Sequence, residues 1–246
     1  KSKSISFKLG KQKITLGGIA KGSGMIHPNM ATMLAFIATD AAIGKKTLNR
    51  ALKETSDQTF NRITVDGDTS TNDMALIFAN GKAKNVSIQA GSSAYRIFVS
   101  KLTELCLDLA HKIVLDGEGA TKFVTIRVQG AKAKTHAHSI ALSVATSSLV
   151  KTALFGQDPN WGRIITAVGY AGVPVNPDRI KILLNGSPLF KNGAPTRGAS
   201  QPALRKKMKS KNIVILIELN AGRHSDVVYT CDLSYDYVRI NAEYTT

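Results

Sequence analysis

Very little in this chain can serve as a covalent or metal staple. Two cysteines stand among 246 residues, Cys106 and Cys231, 125 positions apart. That spacing matches no zinc or dithiol motif, and a reducing compartment is the simple reading. Aromatics make up 6% of the residues, with one Trp. None is interleaved with the basic runs, so base-stacking platforms of the kind that bind single strands are not evident. The apolar runs, such as Met33 to Ala38 and Ile213 to Ile217, are short. They fall far below the roughly 20 residues of a spanning helix. Acidic residues are scarce: 17 Asp and Glu face 33 Lys and Arg, a net charge of +16. The excess sits in the first 50 residues and again at Arg205 to Lys211. A nucleic-acid footprint is one meaning of such charge. A basic surface that favours anionic metabolites is the simpler one. The five histidines lack metalloprotease spacing. His136 and His138 are expected on one strand face, and two ligands without a third make a poor metal site.

What is present is a globular composition, 43% apolar and 20% charged, which excludes wholesale disorder. The length fits one large domain or two small ones. The chain lacks an initiator Met and any signal-peptide pattern at Lys1, so a fragment or a processed product is expected. Charge and apolar residues alternate from Lys1 to Leu16, which predicts a hairpin around Gly10-Lys11. Gly17 to Pro28 reads as a glycine-rich turn region. Met33 to Thr39 is a buried strand or a helix start, and periodicity leaves both open. Thr47 to Phe60 reads as an amphipathic helix and Met74 to Ala79 as a buried element. Ala94 to Val114 carries apolar residues at three- and four-residue steps, the strongest helix. Further on, strands are expected at 123–130, 180–184, 213–219 and 229–240. Helices are expected at 139–154 and 202–209. The mixture gives an α/β or α+β class, with an internal boundary near Gly117 to Gly119. The expected domains are 1–118 and 119–246.

Four stretches could carry chemistry. Gly17 to Leu34 holds Lys21 among glycines and ends near Thr32. It is not a Walker A loop, because no Gly-Lys-Ser/Thr follows. By spacing alone Thr32 is an N-cap or strand threonine. Asp66 to Asp73 places three carboxylates among hydroxyls. It fails the EF-hand template, which wants Gly at position six and Glu at position twelve; a hydrogen-bonded polar turn is the plain alternative. Glu118 stands between Gly117 and Gly119, where it either points into a site or ends a helix in solvent. Asp158-Pro159-Asn160-Trp161-Gly162-Arg163 is dense in turn formers and fixes the only Trp.

Taken in order, these motifs resemble the ornithine acetyltransferase family (glutamate N-acetyltransferase, in some members also N-acetylglutamate synthase). The run Lys21-Gly22-Ser23-Gly24-Met25-Ile26-His27-Pro28-Asn29-Met30-Ala31-Thr32-Met33-Leu34 is similar to that family's self-cleavage segment. The runs at 66–73, 116–123 and 158–163, and the tail Asp236 to Thr246, match in the same order. The resemblance implies a layered α-β-β-α sandwich of the self-cleaving Thr-nucleophile type, with a smaller C-terminal α+β domain closing the site. It implies cleavage between Ala31 and Thr32, Thr32 as catalytic nucleophile, and substrate binding by Lys21, Thr32, Glu118, Asn241 and Thr246. The acetyl group is expected to pass from N-acetylornithine to glutamate without metal or bound cofactor, and use of acetyl-CoA as a second donor stays open. The implied assembly is a heterotetramer of two upstream and two downstream pieces. The implied location is the cytoplasm, or the mitochondrial matrix in a eukaryote. Family members also carry a segment upstream of Lys1 that holds a Thr-Gly pair assigned to the oxyanion hole, so the chain is expected to lack those donors. A Thr-nucleophile amidohydrolase or aminopeptidase, with water as acceptor, is the competing enzyme class. A basic nucleic-acid-binding module is the third reading, and it leaves all five motifs unexplained.

Overall fold

The computed structural model describes residues 1–27, 33–197 and 202–243. The chain divides into two compact units, Lys1–Asp116 and Gly117–Thr246. Each is built as a sheet with helices on it, in keeping with the α+β class.

In the first unit, β1 (Ser2–Leu9) and β2 (Gln12–Lys21) form the expected hairpin, with Gly10 at φ +60° in the turn. The turn region expected from Gly17 onward is instead the second half of β2. Gly18 belongs in a strand here because of what faces it. A Cβ at that position would come within 2.9 Å of Leu105 Cδ2 and 3.0 Å of Leu109 Cδ1. The absent side chain is therefore what lets a helix seat on the strand. β3 (Leu34–Thr39) settles the open choice at 33–39 as a strand. It pairs antiparallel with β2 and parallel with β4 (Met74–Ala79). The sheet order is β1-β2-β3-β4.

Between β3 and β4 runs α1 (Lys45–Ser56). After β4 comes α2 (Ser93–Leu115), whose N-cap Ser92 accepts from Tyr95 N–H. Alternation decides which face of the sheet these helices cover. Ile14, Leu16 and Ala20 of β2 and Ala35 and Ile37 of β3 are buried, together with Phe98, Leu102, Leu105 and Leu109 of α2. The opposite face stays open. Ile19 and Phe78 are each 57% exposed, and Phe36 also reaches solvent, around a concavity of ≈ 1030 Å³. Met74–Ala79 is thus an edge strand and not the buried element expected.

The second unit holds a six-stranded sheet of order β10-β5-β9-β6-β7-β8. Its strands are β5 (Phe123–Ala131), β6 (Lys181–Leu184), β7 (Ser187–Lys191), β8 (Ala194–Pro195), β9 (Asn212–Glu218) and β10 (His224–Cys231). Only β5 and β9 pair in parallel. The core joins Val124, Ile126 and Val128 of β5 to Ile213, Ile215 and Ile217 of β9 and to the helices beside them.

Those helices differ from expectation in three places. The helix expected over 139–154 is two: α3 (Lys134–Thr146) and α4 (Ser148–Phe155). Ser147 leaves the helical region (ψ 111°) and its side chain accepts from Val150 N–H, so the second helix starts afresh. His136 and His138 consequently lie on a helix and not on a strand. The motif at 158–163 opens α5 (Trp161–Gly169), because Asn160 caps it by accepting from Arg163 N–H. The Trp161 ring stacks on Phe190, centroids 5.5 Å apart. α6 (Pro202–Met208) is the basic helix expected. The strand expected over 229–240 ends at Cys231, and α7 (Tyr235–Glu243) follows. Its Ser234 accepts from Tyr237 N–H at 3.4 Å, an N-cap bond that a strand would not use. No helix of the described residues is long and apolar enough to cross a membrane.

Candidate functional site

Two clusters hold the described members of the expected site, one in each unit. In the first, Lys21 ends β2 with its side chain exposed. Thr32 and Ala31 lie outside the described residues, but both flanks of the segment that carries them are described. Both are gripped by the loop between Ile63 and Met74.

On the upstream flank, the Asp66 carboxylate accepts the N–H groups of Met25 (2.7 Å) and Ile26 (3.0 Å), one on each oxygen. Val65 N–H bonds back to Ile26 O at 2.7 Å. His27 is held twice, its Nδ1 3.2 Å from Thr64 Oγ1 and its carbonyl accepting from Thr69 Oγ1 at 3.1 Å. A carboxylate that takes two backbone donors fixes a main-chain direction better than any single bond, and such charge-assisted bonds are the stronger kind. Ile26 is fully buried and acts as the apolar anchor of the same turn.

On the downstream flank, Asp73 Oδ1 accepts Met33 N–H, while Met33 O accepts Met74 N–H at 2.9 Å. Residue 33 is thereby clamped through both its peptide groups, one step before the β3–β4 ladder begins at Leu34 and Met74. Asp73 Oδ2 is buried without a hydrogen-bond partner among the described residues. Burial pushes the Asp73 carboxyl up to about 6, against the Met33 N–H and the charge of Lys21, which both favour its ionised form.

The polar loop at 66–73 is therefore the hydrogen-bonded turn that its composition suggested. Its partners, about 40 residues away, were not readable from spacing. The alternation of carboxylates and hydroxyls was the only signal of acceptors in surplus.

The second cluster brings Glu118 and Asn241 together across 123 residues of sequence. Asn241 Nδ2 donates to Glu118 Oε2 at 3.0 Å and to its own helix at Tyr237 O, also 3.0 Å. The Glu118 loop is fixed by α7 on one side and by β10 on the other. Ser234 Oγ donates to Gly119 O at 2.6 Å. Asp232, 2% exposed, accepts from Thr121 N–H (2.8 Å), Lys122 N–H (2.9 Å) and the Thr121 hydroxyl. Lys122 is itself buried, and its Nζ donates to Met208 O at 2.8 Å. Gly119 stands at φ +65°, where a Cβ would lie 2.5 Å from Tyr237 N. Thr246 lies outside the described residues.

Chemically, the first cluster is a rigid frame around a short segment that contains a hydroxyl and a peptide bond. The second presents a carboxylate whose direction is set by an amide, fit to receive an ammonium or amine. Neither cluster resembles the EF-hand or P-loop templates.

The sequence model of the ArgJ family matches residues 1–246. Among curated proteins, the chain is 52% identical over 227 residues to the "Arginine biosynthesis bifunctional protein ArgJ" of Desulfotalea psychrophila, covering 92% of this chain and 58% of that protein. It is 49% identical over 246 residues to the protein of the same name from Listeria monocytogenes serovar 1/2a, covering 99% and 62%. The chain thus spans about 60% of the length of the curated relatives it matches. Among solved structures, it is similar to a chain of the arginine biosynthesis bifunctional protein argJ from Bacillus halodurans. The TM-score is 0.83 at 43% identity, over 87% of this chain and all of that one.

Proposed function

The chain belongs to the ArgJ family, and on that premise we propose that it serves arginine biosynthesis by moving an acetyl group from N-acetylornithine to glutamate through an acetyl ester on Thr32. The observation that carries this reading is the double grip of Asp66 and Asp73 on the two flanks of residues 28–32. A frame of that kind is what a reacting hydroxyl needs, since small errors in position cost large factors in rate.

A threonine hydroxyl is a poor nucleophile until a base removes its proton. Cleavage of the Ala31–Thr32 bond makes Thr32 a chain terminus, and its own α-amine becomes that base. An α-amine titrates near 7.7–8.0, which suits proton transfer at neutral pH. In the first half-reaction, the Thr32 oxygen attacks the acetyl carbonyl while the amine takes the hydroxyl proton. The tetrahedral intermediate then collapses, the proton passes to the departing ornithine nitrogen, and the acetyl ester remains. In the second half-reaction, the glutamate amine attacks that ester and its proton returns to the Thr32 oxygen.

Lys21 binds the α-carboxylate common to both amino acids. Glu118, oriented by Asn241, takes the side-chain ammonium that ornithine has and glutamate lacks, and Asn241 and Thr246 complete the proposed substrate-binding set. In this reading no metal or bound cofactor takes part, and acetyl-CoA is a donor only for a bifunctional member. The catalytic unit is the heterotetramer of two upstream and two downstream pieces, working in the cytoplasm.

The reading is tested by following N-acetylornithine consumption with and without glutamate. Transfer requires glutamate for turnover, whereas steady consumption in its absence would identify a hydrolase. The substrate roles are tested by two variants. Lys21→Ala is expected to raise KM about tenfold or more for both substrates. Glu118→Ala is expected to raise it for N-acetylornithine and leave glutamate within about twofold, since each lost charge-assisted contact is worth roughly 1.5–3 kcal/mol. Equal effects of Glu118→Ala on the two substrates would remove its assignment to the ornithine side chain.

A further inference from the structure

We propose that the second unit carries a binding site for a small organic carboxylate with an apolar body, in the cavity between the start of α3, the loop at 173–179 and the end of β9. The site shares no residue with the Glu118–Asn241 cluster, and it does not depend on the acetyl-transfer reading.

The cavity has a volume of ≈ 300 Å³ and lies wholly within the second unit. At the roughly 30 Å³ that a water molecule takes up in the liquid, it has room for about ten non-hydrogen atoms. Its floor is apolar. Ile140 of α3 and Leu219 beyond the end of β9 are buried, and Val173 and Val175 pack against the same core. Its rim is cationic. Lys132 precedes α3, His136 lies in the first turn of α3, and Arg179 ends the single helical turn Pro177–Arg179.

Nothing acidic balances that rim. Among the described residues, no Asp or Glu lines the cavity, and neither Lys132 nor Arg179 has an ion-pair partner. The carboxylates of neighbouring elements are turned to other groups. Glu218 of β9 is 3.1 Å from Lys181 Nζ, and Asp226 of β10 is 3.2 Å from His138 Nδ1. Asp178 faces Gly193, its Oδ1 2.7 Å from where a Cβ there would stand. Like charges held on one rim repel each other, and an anion between them relieves the repulsion. Arg179 offers N–H groups in a fork that fits a carboxylate, and His136 offers a ring N–H in either tautomer. The floor adds what a bare ion cannot use, apolar surface to cover.

The rim is also held in place by bonds of its own. Asn220 Nδ2 donates to Arg179 O at 2.8 Å, Asn176 Oδ1 accepts Asp178 N–H at 3.0 Å, and Ala221 N–H bonds to Gly130 O at 2.8 Å. A cavity formed in advance leaves less to order when a ligand enters.

The test is calorimetric titration of the full-length gene product with 3-phenylpropionate. Saturable binding is expected with a Kd of about 1 mM or below. Two controls divide the ligand into its parts. 3-Phenylpropylamine keeps the body and reverses the charge, and inorganic phosphate keeps a negative charge without the body. Each is expected to bind at least about tenfold more weakly. Arg179→Gln and Lys132→Gln are each expected to weaken 3-phenylpropionate about fivefold or more, and to keep the wild-type melting temperature and acetyl-transfer kcat. Lys21→Ala is expected to leave the affinity unchanged, which separates this cavity from the proposed substrate contact. No saturable binding, or phosphate bound as tightly as 3-phenylpropionate, overturns the proposal. So does an affinity that survives the combined Lys132→Gln and Arg179→Gln change, or one that is lost in Lys21→Ala. None of these outcomes turns on Thr32, so the site and the acetyl-transfer reading stand or fall separately.

Discussion

Thr32→Ala leaves the chain uncut and without acetyl transfer, a loss expected on the order of 10⁴-fold or more. One atom serves two reactions. In the proposed mechanism the same hydroxyl attacks the Ala31 carbonyl to open the peptide bond and later attacks the acetyl carbonyl of the substrate. Removing it therefore blocks the step that creates the base as well as the step that uses it. Intact-mass measurement is expected to show one uncut species for the variant and, for the wild type, two pieces divided between Ala31 and Thr32. Thr32→Ser keeps a hydroxyl and an amine and is expected to retain part of both reactions. An uncut wild-type chain with full transfer activity would falsify the use of the amine as base. The frame around the segment does not depend on residue 32, since Asp66 bonds to Met25 and Ile26 and Asp73 to Met33. Thr32→Ala should accordingly melt within a few degrees of the wild type, which separates a chemical loss from a folding loss.

The second large effect is expected far from the hydroxyl, at Gly119. This residue stands at φ +65°, in the left-handed region, where a side chain costs about 1–2 kcal/mol. An alanine there also places Cβ 2.5 Å from Tyr237 N and 2.6 Å from Ser234 Oγ. Backbone cannot yield as the tip of a flexible side chain can, so α7 must shift or Glu118 must turn. Either movement parts Glu118 from Asn241. Gly119→Ala is expected to destabilise the second unit by about 2–4 kcal/mol. It should also raise KM for N-acetylornithine as much as Glu118→Ala does. A denaturant midpoint at the wild-type value, together with wild-type kinetics, would mean that the loop relaxes without consequence.

The parts of the fold that could be read from sequence were those whose local pattern and tertiary surroundings agree. Ala94 to Val114 repeats its apolar residues every three or four positions, and α2 buries that stripe. The hairpin at Gly10 follows from alternation and a turn glycine. The errors arose where a tertiary neighbour overrode a local signal. Gly17-Gly18 looks like a turn, but Gly18 is a strand residue because Leu105 and Leu109 occupy the space a side chain would need. Tyr235 to Ile240 alternates like a strand, yet Ser234 caps it as a helix. Ser147 breaks what periodicity joined by accepting Val150 N–H on its hydroxyl oxygen.

The site was legible only as residue types in order. The motifs named Lys21, Glu118 and Asn241 through a resemblance, and the structure brings Glu118 to Asn241. The roles of Asp66 and Asp73 were invisible, because a sequence shows that a carboxylate is present and not which backbone amide it will take.

The pairing of β2 with β3 has a consequence for how often this protein can fold. The six-step ladder from Leu16–Thr39 to Lys21–Leu34 lies on either side of the bond between residues 31 and 32. In the uncut chain those strands meet as the two arms of one covalent loop, and folding is first order. If that bond is opened, β1 and β2 belong to the upstream piece, while β3, β4 and both helices of this unit belong to the downstream one. Reassembly after complete unfolding is then a bimolecular reaction that must rebuild the middle of a sheet from separate molecules. Its rate scales with concentration, and the separated upstream piece has competing ways to associate through its exposed strand edges. A cut protein, unfolded and diluted, should recover far less activity than the uncut precursor under the same conditions. Cleavage would thus act as a ratchet: the chain folds once as a single molecule, and afterwards its persistence is set by how slowly it opens.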